Sequence, residues 1–426
     1  MKLAIIGSSP IALEAALRFH AHEAALSWFN AEAGELEALY RSTPSSWHEC
    51  TTELGWKFIT ETGGRSLIDS EFSWQKWKTH YYMPLVEILR TGQEVRSHQV
   101  VSVTKRFLAP QEEVPERSRF HDLFRVIYEV NPEEFIGRQK EMDPATYERL
   151  SEEFIQSLQT SLEMYEDFDL VLDMRHETQP VSLAATGRAL GEGRIKDKVF
   201  YGLDVLRYAP AENTREIALI GSGDLAAETL IHLASWLEDP RMRVFIISNE
   251  EDPFEEFLAS AKEEVKKQLL GIIEKMHNEF QREVDEFHQK LREWQGLDDF
   301  IRVKKPKPAE PIPRLVFFSG HNVTAVDQLI DRRRIFLTIE RPDWRRGLKQ
   351  PENNDLDLKT IGVDEVLGAA GLERPAIAEK LREDEKGYLE LVPRRPLFSN
   401  GWKEDLNALT AIENEIFELF SPADSH

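Results

Sequence analysis

The chain opens on a continuous apolar run, Leu3-Ala4-Ile5-Ile6, of the kind that suits a strand buried on both faces. It enters the turn Gly7-Ser8-Ser9-Pro10, where Pro10 fits the first position of a helix. Residues 11–19 (IALEAALRF) read as that helix, and Ala25 to Phe29 as the next strand. A β-α-β unit is therefore expected within about thirty residues. Trp77 to Leu89 has helical spacing, ended by Gly92. Val95 to Thr104 and Phe124 to Val130 read as strands, 132–166 as a polar helical stretch, and Phe168 to Leu172 as a short apolar strand. After Arg215 the opening pattern returns as strand, glycine turn, helix (EIALIGSGDLAAETLIHLASWL), with RVFIISN (243–249) as the next strand. IIGSSPIALEAAL aligns with LIGSGDLAAETLI without a gap, so one supersecondary unit occurs twice.

Beyond Pro253 the texture changes. Apolar residues from Phe254 to Trp294 recur at three- and four-residue steps among Glu, Lys, Gln and Arg. The spacing predicts a long helix, about 60 Å if straight, or a pair that folds back near Gly271. Its stripe must pack on its own chain or on another, so self-association or a protein partner through 254–294 is expected. KKPKPAEPIP (304–313) stops the helix, and strands resume at Leu315–Phe318 and Ile335–Ile339. Val363 to Leu367 leads into Gly368-Ala369-Ala370-Gly371, and Leu406–Phe420 reads as a final amphipathic helix.

Composition narrows the function classes. A length of 426 residues predicts at least two domains, and 41% hydrophobic with 30% charged residues argues against wholesale disorder. Lys+Arg total 53 and Asp+Glu 76, a net charge of −23, which repels nucleic acid. The lone Cys50 excludes an internal disulfide, a dithiol redox pair and a multi-cysteine metal site. The 12 histidines lack metal-ligand spacing, so no metal is expected. No apolar run is long enough to span a membrane, and the run before Gly7 is too short for a signal peptide. A cytoplasmic protein is expected.

The candidate chemistry lies in the two turns. A strand that enters a helix through glycines presents unpaired helix N–H groups and the positive end of the helix dipole to an anion. Gly221-Ser222-Gly223-Asp224-Leu225-Ala226 meets the dinucleotide pattern in full, with Ala226 as an accepted third position. In Gly7-Ser8-Ser9-Pro10-Ile11-Ala12, Ser9 and Ala12 replace the second and third glycines. Ser9 adds bulk where a pyrophosphate would pass, although its hydroxyl could donate to a phosphate.

These paired turns, their separation and the later Gly368-Ala369-Ala370-Gly371 resemble the two-dinucleotide-binding-domain flavoproteins, which include thioredoxin-reductase-like enzymes and flavin-containing monooxygenases. The resemblance covers most of the chain outside 132–166 and 254–313. It implies FAD at Gly7–Ala12, with Asn30 at the ribose position usually held by an acid. It implies NAD(P) at Gly221–Ala226, followed in the chain by Ser248. Glu250, Glu251 and Asp252 beyond the second unit favour NAD over NADP, although the same carboxylates also read as caps of the following helix. Phe168–Leu172 and Val366–Leu367 resemble the strands that run into Ala-Thr-Gly in the family. Gly371 supplies that glycine in the second case, whereas Asp173-Met174-Arg175 follows the first.

The expected architecture is α/β, with two Rossmann-like dinucleotide-binding domains, the second inserted into the first. Residues 1–208 and 364–426 form the FAD-binding-like domain. Residues 209–363 form the NAD(P)-binding-like domain, carrying a helical insertion at 254–313. The leading function is a flavin-dependent, nicotinamide-linked oxidoreductase, monooxygenase-like or reductase-like, without dithiol chemistry. No residue is singled out as a catalytic acid or base. The departures in the first turn also admit a relative that has lost catalysis and acts as a nucleotide-binding scaffold or sensor through its helical insertion.

Overall fold

The computed structural model describes residues 1–31, 47–65, 72–92, 94–106, 122–131, 137, 140, 151, 162–177, 179–184, 187–195, 198–328, 334–342, 356–379, 381, 387–393 and 401–420. The expected polar helical stretch at 132–166 lies almost wholly outside that set up to residue 161. Contacts divide the chain into two units, 1–177 with 374–426, and 178–373.

In the first unit, β1 (Lys2–Ile6), α1 (Pro10–Ala21) and β2 (Ala25–Phe29) form the expected β-α-β start. β1 lies between β2 and β3 (Leu170–Asp173), parallel to both. Strands Tyr388–Glu390 and Val95–Arg96 complete a five-stranded parallel sheet at its two edges. The chain adds strands on one side of β1 first and then crosses to add β3 on the other, which makes the carboxyl ends of β1 and β3 the topological switch point where ligands bind in open α/β sheets. A three-stranded antiparallel sheet (Val100–Lys105, Phe124–Val130, Leu162–Phe168) shares its core, through Ala4, Ile6, Phe29, Val103, Phe124, Val126, Phe168 and Val171. Leu162–Phe168 thus corrects the helical reading of 162–166: Phe168, the innermost residue, pairs with Phe124, and the strand is held in register along β-branched and aromatic partners.

The second unit repeats this plan. β4 (Glu216–Ile220), α2 (Asp224–His232) and β5 (Arg243–Ile247) come first. α3 (Glu263–Gln295) follows, and β6 (Glu365–Gly368) pairs with β4 on the side opposite β5. Leu315–Phe318 and Val199–Tyr201 are the edge strands. A second antiparallel three-stranded sheet, Asn322–Gln328, Ile335–Pro342 and Leu356–Val363, shares a core with the parallel one. Val199–Tyr201 pairs with β6, so 178–208 belongs to the second unit, and so do β6 and Gly371. The boundaries expected at 208/209 and 363/364 therefore move to 177/178 and 373/374.

α3 passes straight through Gly271, whose surroundings leave room for a side chain, and the chain turns back only at Gly296. Val265, Leu269 and Met276 in its first half are buried. Arg314 ties down the middle of the helix, pairing with Glu279 at 2.7 Å and Glu283 at 3.2 Å. The apolar stripe is thus partly covered by the chain itself. Among the described residues no helix is long and apolar enough to cross a membrane, and no cluster of metal-binding side chains occurs.

Candidate functional site

The two glycine turns are built on one backbone plan. Gly7 N–H donates to Phe29 O at 3.0 Å, and Gly221 N–H to Ile247 O at 2.8 Å. Leu13 N–H donates to Ser9 O and Ala227 N–H to Gly223 O, each closing the first helical turn. Met174 N–H donates to Ile6 O and Ala369 N–H to Ile220 O, bringing the crossover strand beside the turn. Gly7 and Gly221 have φ of 129° and 122°, and a Cβ on either would collide with the carbonyl of Met174 or Ala369. Both first glycines therefore have a structural reason to be there.

The second position separates them. Gly223 is exposed, and a Cβ there would meet nothing within 4 Å. It is the N-cap of α2, with no side-chain cap bond from that position. The protein itself does not require glycine at 223, and the space left beside the helix N-terminus is of the kind a pyrophosphate would need. Asp224 turns its carboxylate onto the N–H of Leu225 at 2.9 Å, while Leu225 and Ala226 are buried in the sheet–helix seam. Buried Ser222 and Ser248 bond through their hydroxyls at 2.8 Å, and Ser248 also accepts the Glu250 N–H at 3.0 Å. That pair ties the turn to the end of β5, where Arg341 pairs with Glu251. Gly371, with φ of 140°, closes the crossover after β6.

In the first turn Ser9 is fully buried. Its hydroxyl accepts the Ala12 N–H at 3.1 Å and donates to Met174 O at 3.2 Å. It neither crowds the approach nor points at a phosphate, as the sequence suggested; it caps α1 and occupies one of the donors that an anion would use. Pro10 has no N–H to offer, and Ile11 and Ala12 are buried. Aromatic side chains fasten the remaining groups. Trp28 Nε1 donates to Gly7 O at 2.7 Å. The Tyr82 hydroxyl donates to Asn30 Oδ1 at 3.1 Å, with Ser8 O at 3.3 Å as its alternative acceptor. The Ser8 hydroxyl donates to Ala31 O. Asn30 and Ser248 hold equivalent places, since their N–H groups donate to Arg96 O and Phe318 O. The amide oxygen of Asn30 is already engaged.

Beside this turn lies an ion cluster that the sequence did not announce. Asp173, fully buried at the end of β3, accepts Arg175 Nε at 3.0 Å, Arg175 Nη2 at 2.8 Å and the Tyr388 hydroxyl at 2.9 Å. Arg374 Nη1 lies 3.3 Å away. Burial alone would raise this carboxyl, but Arg175, then Arg374 and Tyr388, outweigh it and hold it below its ordinary range. Burial, together with the charge of Asp173, drives the Tyr388 phenol up, so it stays a proton donor. By register Asp173 in the first unit corresponds to Gly368 in the second, since they pair with Ile6 and Ile220 respectively. Pairs separated by 2 and about 200 residues leave no periodic signal, and neither do Trp28 and Tyr82.

No protein-family model and no curated protein matches the chain. Among solved structures, the bacillithiol disulfide reductase of Staphylococcus aureus aligns over 97% of this chain and 98% of its own, at 11% identity and a TM-score of 0.50. The fold is that of the two-dinucleotide-binding-domain flavoproteins. The FAD-bound cadaverine monooxygenase of desferrioxamine biosynthesis from Erwinia amylovora aligns over 91% and 87%, at 10% identity and 0.47. A thioredoxin reductase of Lactococcus lactis aligns over 98% and 99%, at 12% identity and 0.45. In the flavoprotein fold the two turns described above are corresponding points of the two repeats, and the chain retains both.

Proposed function

We propose that the chain is a nicotinamide-linked, flavin-dependent oxidoreductase, with NAD(P) at Gly221–Ala226 and FAD at Gly7–Ala12. The observation that carries the reading is Gly223, exposed at an open helix N-terminus where nothing in the protein fills the place of its side chain. Bound there, a nicotinamide supplies or takes up hydride, and a flavin is its two-electron partner. The chain's part is binding and orientation. The N-terminus of α2 receives the pyrophosphate, and the Ser222–Ser248 pair fixes the turn against β5. Glu250 and Glu251 favour a free ribose hydroxyl over a phosphate, hence NAD over NADP. Dithiol chemistry is left aside, because the lone Cys50 is buried.

Calorimetric titration of the purified protein with NADH, NADPH and ADP-ribose tests the second turn. A flavin absorption band, bleached by NADH without oxygen, tests the whole reading. Absence of affinity for all three ligands would sink it. The self-capped Ser9 favours a second reading, a nucleotide-binding scaffold that has given up its flavin. Nucleotide binding by a protein colourless after flavin reconstitution is the result that selects it.

A further inference from the structure

The end of the helical insertion carries a surface that the proposed chemistry does not use. After α3 the chain reverses at Gly296 and forms a short helix, Asp299–Arg302. Trp294 Nε1 donates to Lys305 O at 2.8 Å, which pins the returning segment to α3. At this tip Phe300 is 73% exposed, Ile301 44% and Val303 88%. Arg302, Lys304, Lys305 and Lys307 alternate with them or follow at once, a concentration of positive charge in a chain of net charge −23. Arg302 pairs with Asp299, and Lys304 Nζ lies over the Phe300 ring, 4.2 Å from its centroid. Lys305 and Lys307 are exposed.

We propose that this tip docks the protein on an anionic lipid bilayer, with Phe300, Ile301 and Val303 entering the headgroup region and the lysines on lipid phosphates. Exposed apolar side chains interleaved with long cationic ones match an interfacial surface, where the stems follow the apolar layer and the charges reach the headgroups. Charge complementarity alone also fits the acidic body of a second copy. That contact would be tip-to-body, a heterologous arrangement that grows open chains unless it closes into a ring. Distance favours the bilayer. Between Glu283, the last residue of α3 tied to Arg314, and Gln295 the helix advances about 18 Å. Screening acts over about 8 Å at physiological salt. The tip therefore meets an anionic surface beyond the repulsion of the acidic core that carries α3.

Flotation of the full chain with vesicles provides the test. Binding is expected to equimolar phosphatidylcholine–phosphatidylglycerol vesicles and not to phosphatidylcholine alone, and it should weaken as salt rises. The triple variant Lys304→Gln, Lys305→Gln, Lys307→Gln should bind about 100-fold more weakly, at about fivefold per lysine. Phe300→Ser with Val303→Ser should lose binding at unchanged helix content, because both residues are exposed. Failure of the wild type to float with the anionic vesicles overturns the proposal, and so does binding that both variants keep. Mass that rises with concentration and falls in the variants, without flotation, assigns the tip to a second copy instead.

Discussion

The Gly7 turn and the Gly221 turn share their backbone and differ in where their polar groups go. In each, a glycine at positive φ passes beneath the crossover strand, and the same three kinds of backbone bond fix the turn. At Gly223 the second turn leaves the helix N-terminus facing solvent. In the first, Ser9, Trp28 and Tyr82 take up the donors and acceptors internally. A dinucleotide fold is thus maintained by its first glycine and crossover strand. Room for an anion at the helix N-terminus is a separate matter, set by whether a side chain fills the second position, as Ser9 does and Gly223 does not.

The shared part of the comparison predicts the largest effects. Gly7→Val and Gly221→Val should each destabilise the protein by about 4 kcal/mol or more, since a β-branched side chain at positive φ would also drive into a backbone carbonyl. Thermal unfolding of the two variants checks this. A loss confined to Gly221→Val would mean that the first turn relaxes where the second cannot, and the equivalence of the two turns would be lost.

Next comes the crossover, where the first unit has Asp173 and the second has Gly368. Asp173→Asn leaves the partly buried Arg175 and Arg374 beside a neutral amide, and about 3 kcal/mol of stability should go. The folded carboxyl lies below its unfolded value of about 3.9. Its contribution is therefore complete above that pH and is lost as pH falls through the lower, folded value. The gap in melting temperature between wild type and variant should be wide at neutral pH and close below about pH 4. A gap that stays constant into acid would show that packing, not charge, accounts for the loss.

Much of this contrast was legible from residue order, and part of it was not. The repeat of IIGSSPIALEAAL in LIGSGDLAAETLI exposed the duplicated β-α-β, and Gly7, Gly221 and Pro10 sit where their conformational needs place them. The full repeat, parallel sheet plus antiparallel meander in each unit, was hidden because the meanders share spacing rather than residues. The boundary at 177/178 was missed because Val199–Tyr201 joins its sheet through β6, more than 160 residues later. The direction of the Ser9 hydroxyl was also beyond reach. A serine at that position can face a ligand or cap its own helix, and Met174 O, far along the chain, helps to decide between them. Helical periodicity identified α3 but left open whether it runs on or folds back near Gly271; it runs on to Gln295, because a solvated glycine is tolerated inside a helix at about 1 kcal/mol.

The open turn should fail by binding alone. Gly223→Val places a side chain in empty space, so stability should change by no more than about 1 kcal/mol. If a pyrophosphate passes there, affinity for NADH should fall by about 100-fold, read by calorimetry beside the melting curve. Unaltered affinity would place the nucleotide elsewhere, and a collapsed fold would mean that Gly223 serves the protein and not a ligand.

Ser9→Gly should have the smallest effect and bears on the point where the turns diverge. It removes the cap on α1 and the donor to Met174 O, at a cost of about 1 kcal/mol. It also frees the Ala12 N–H and makes the first turn match the second at the position that separates them. If the Ser9 hydroxyl is what withholds the helix N-terminus, flavin affinity measured by fluorescence quenching should rise about tenfold over wild type. The Tyr82–Asn30 bond remains in this variant, so adding Tyr82→Phe separates the two locks: Asn30 is then free to meet a ribose, and a further rise is expected. If neither substitution changes flavin affinity, the internal capping is not what distinguishes the first turn, and its difference from the second must lie outside the hydrogen bonds compared above.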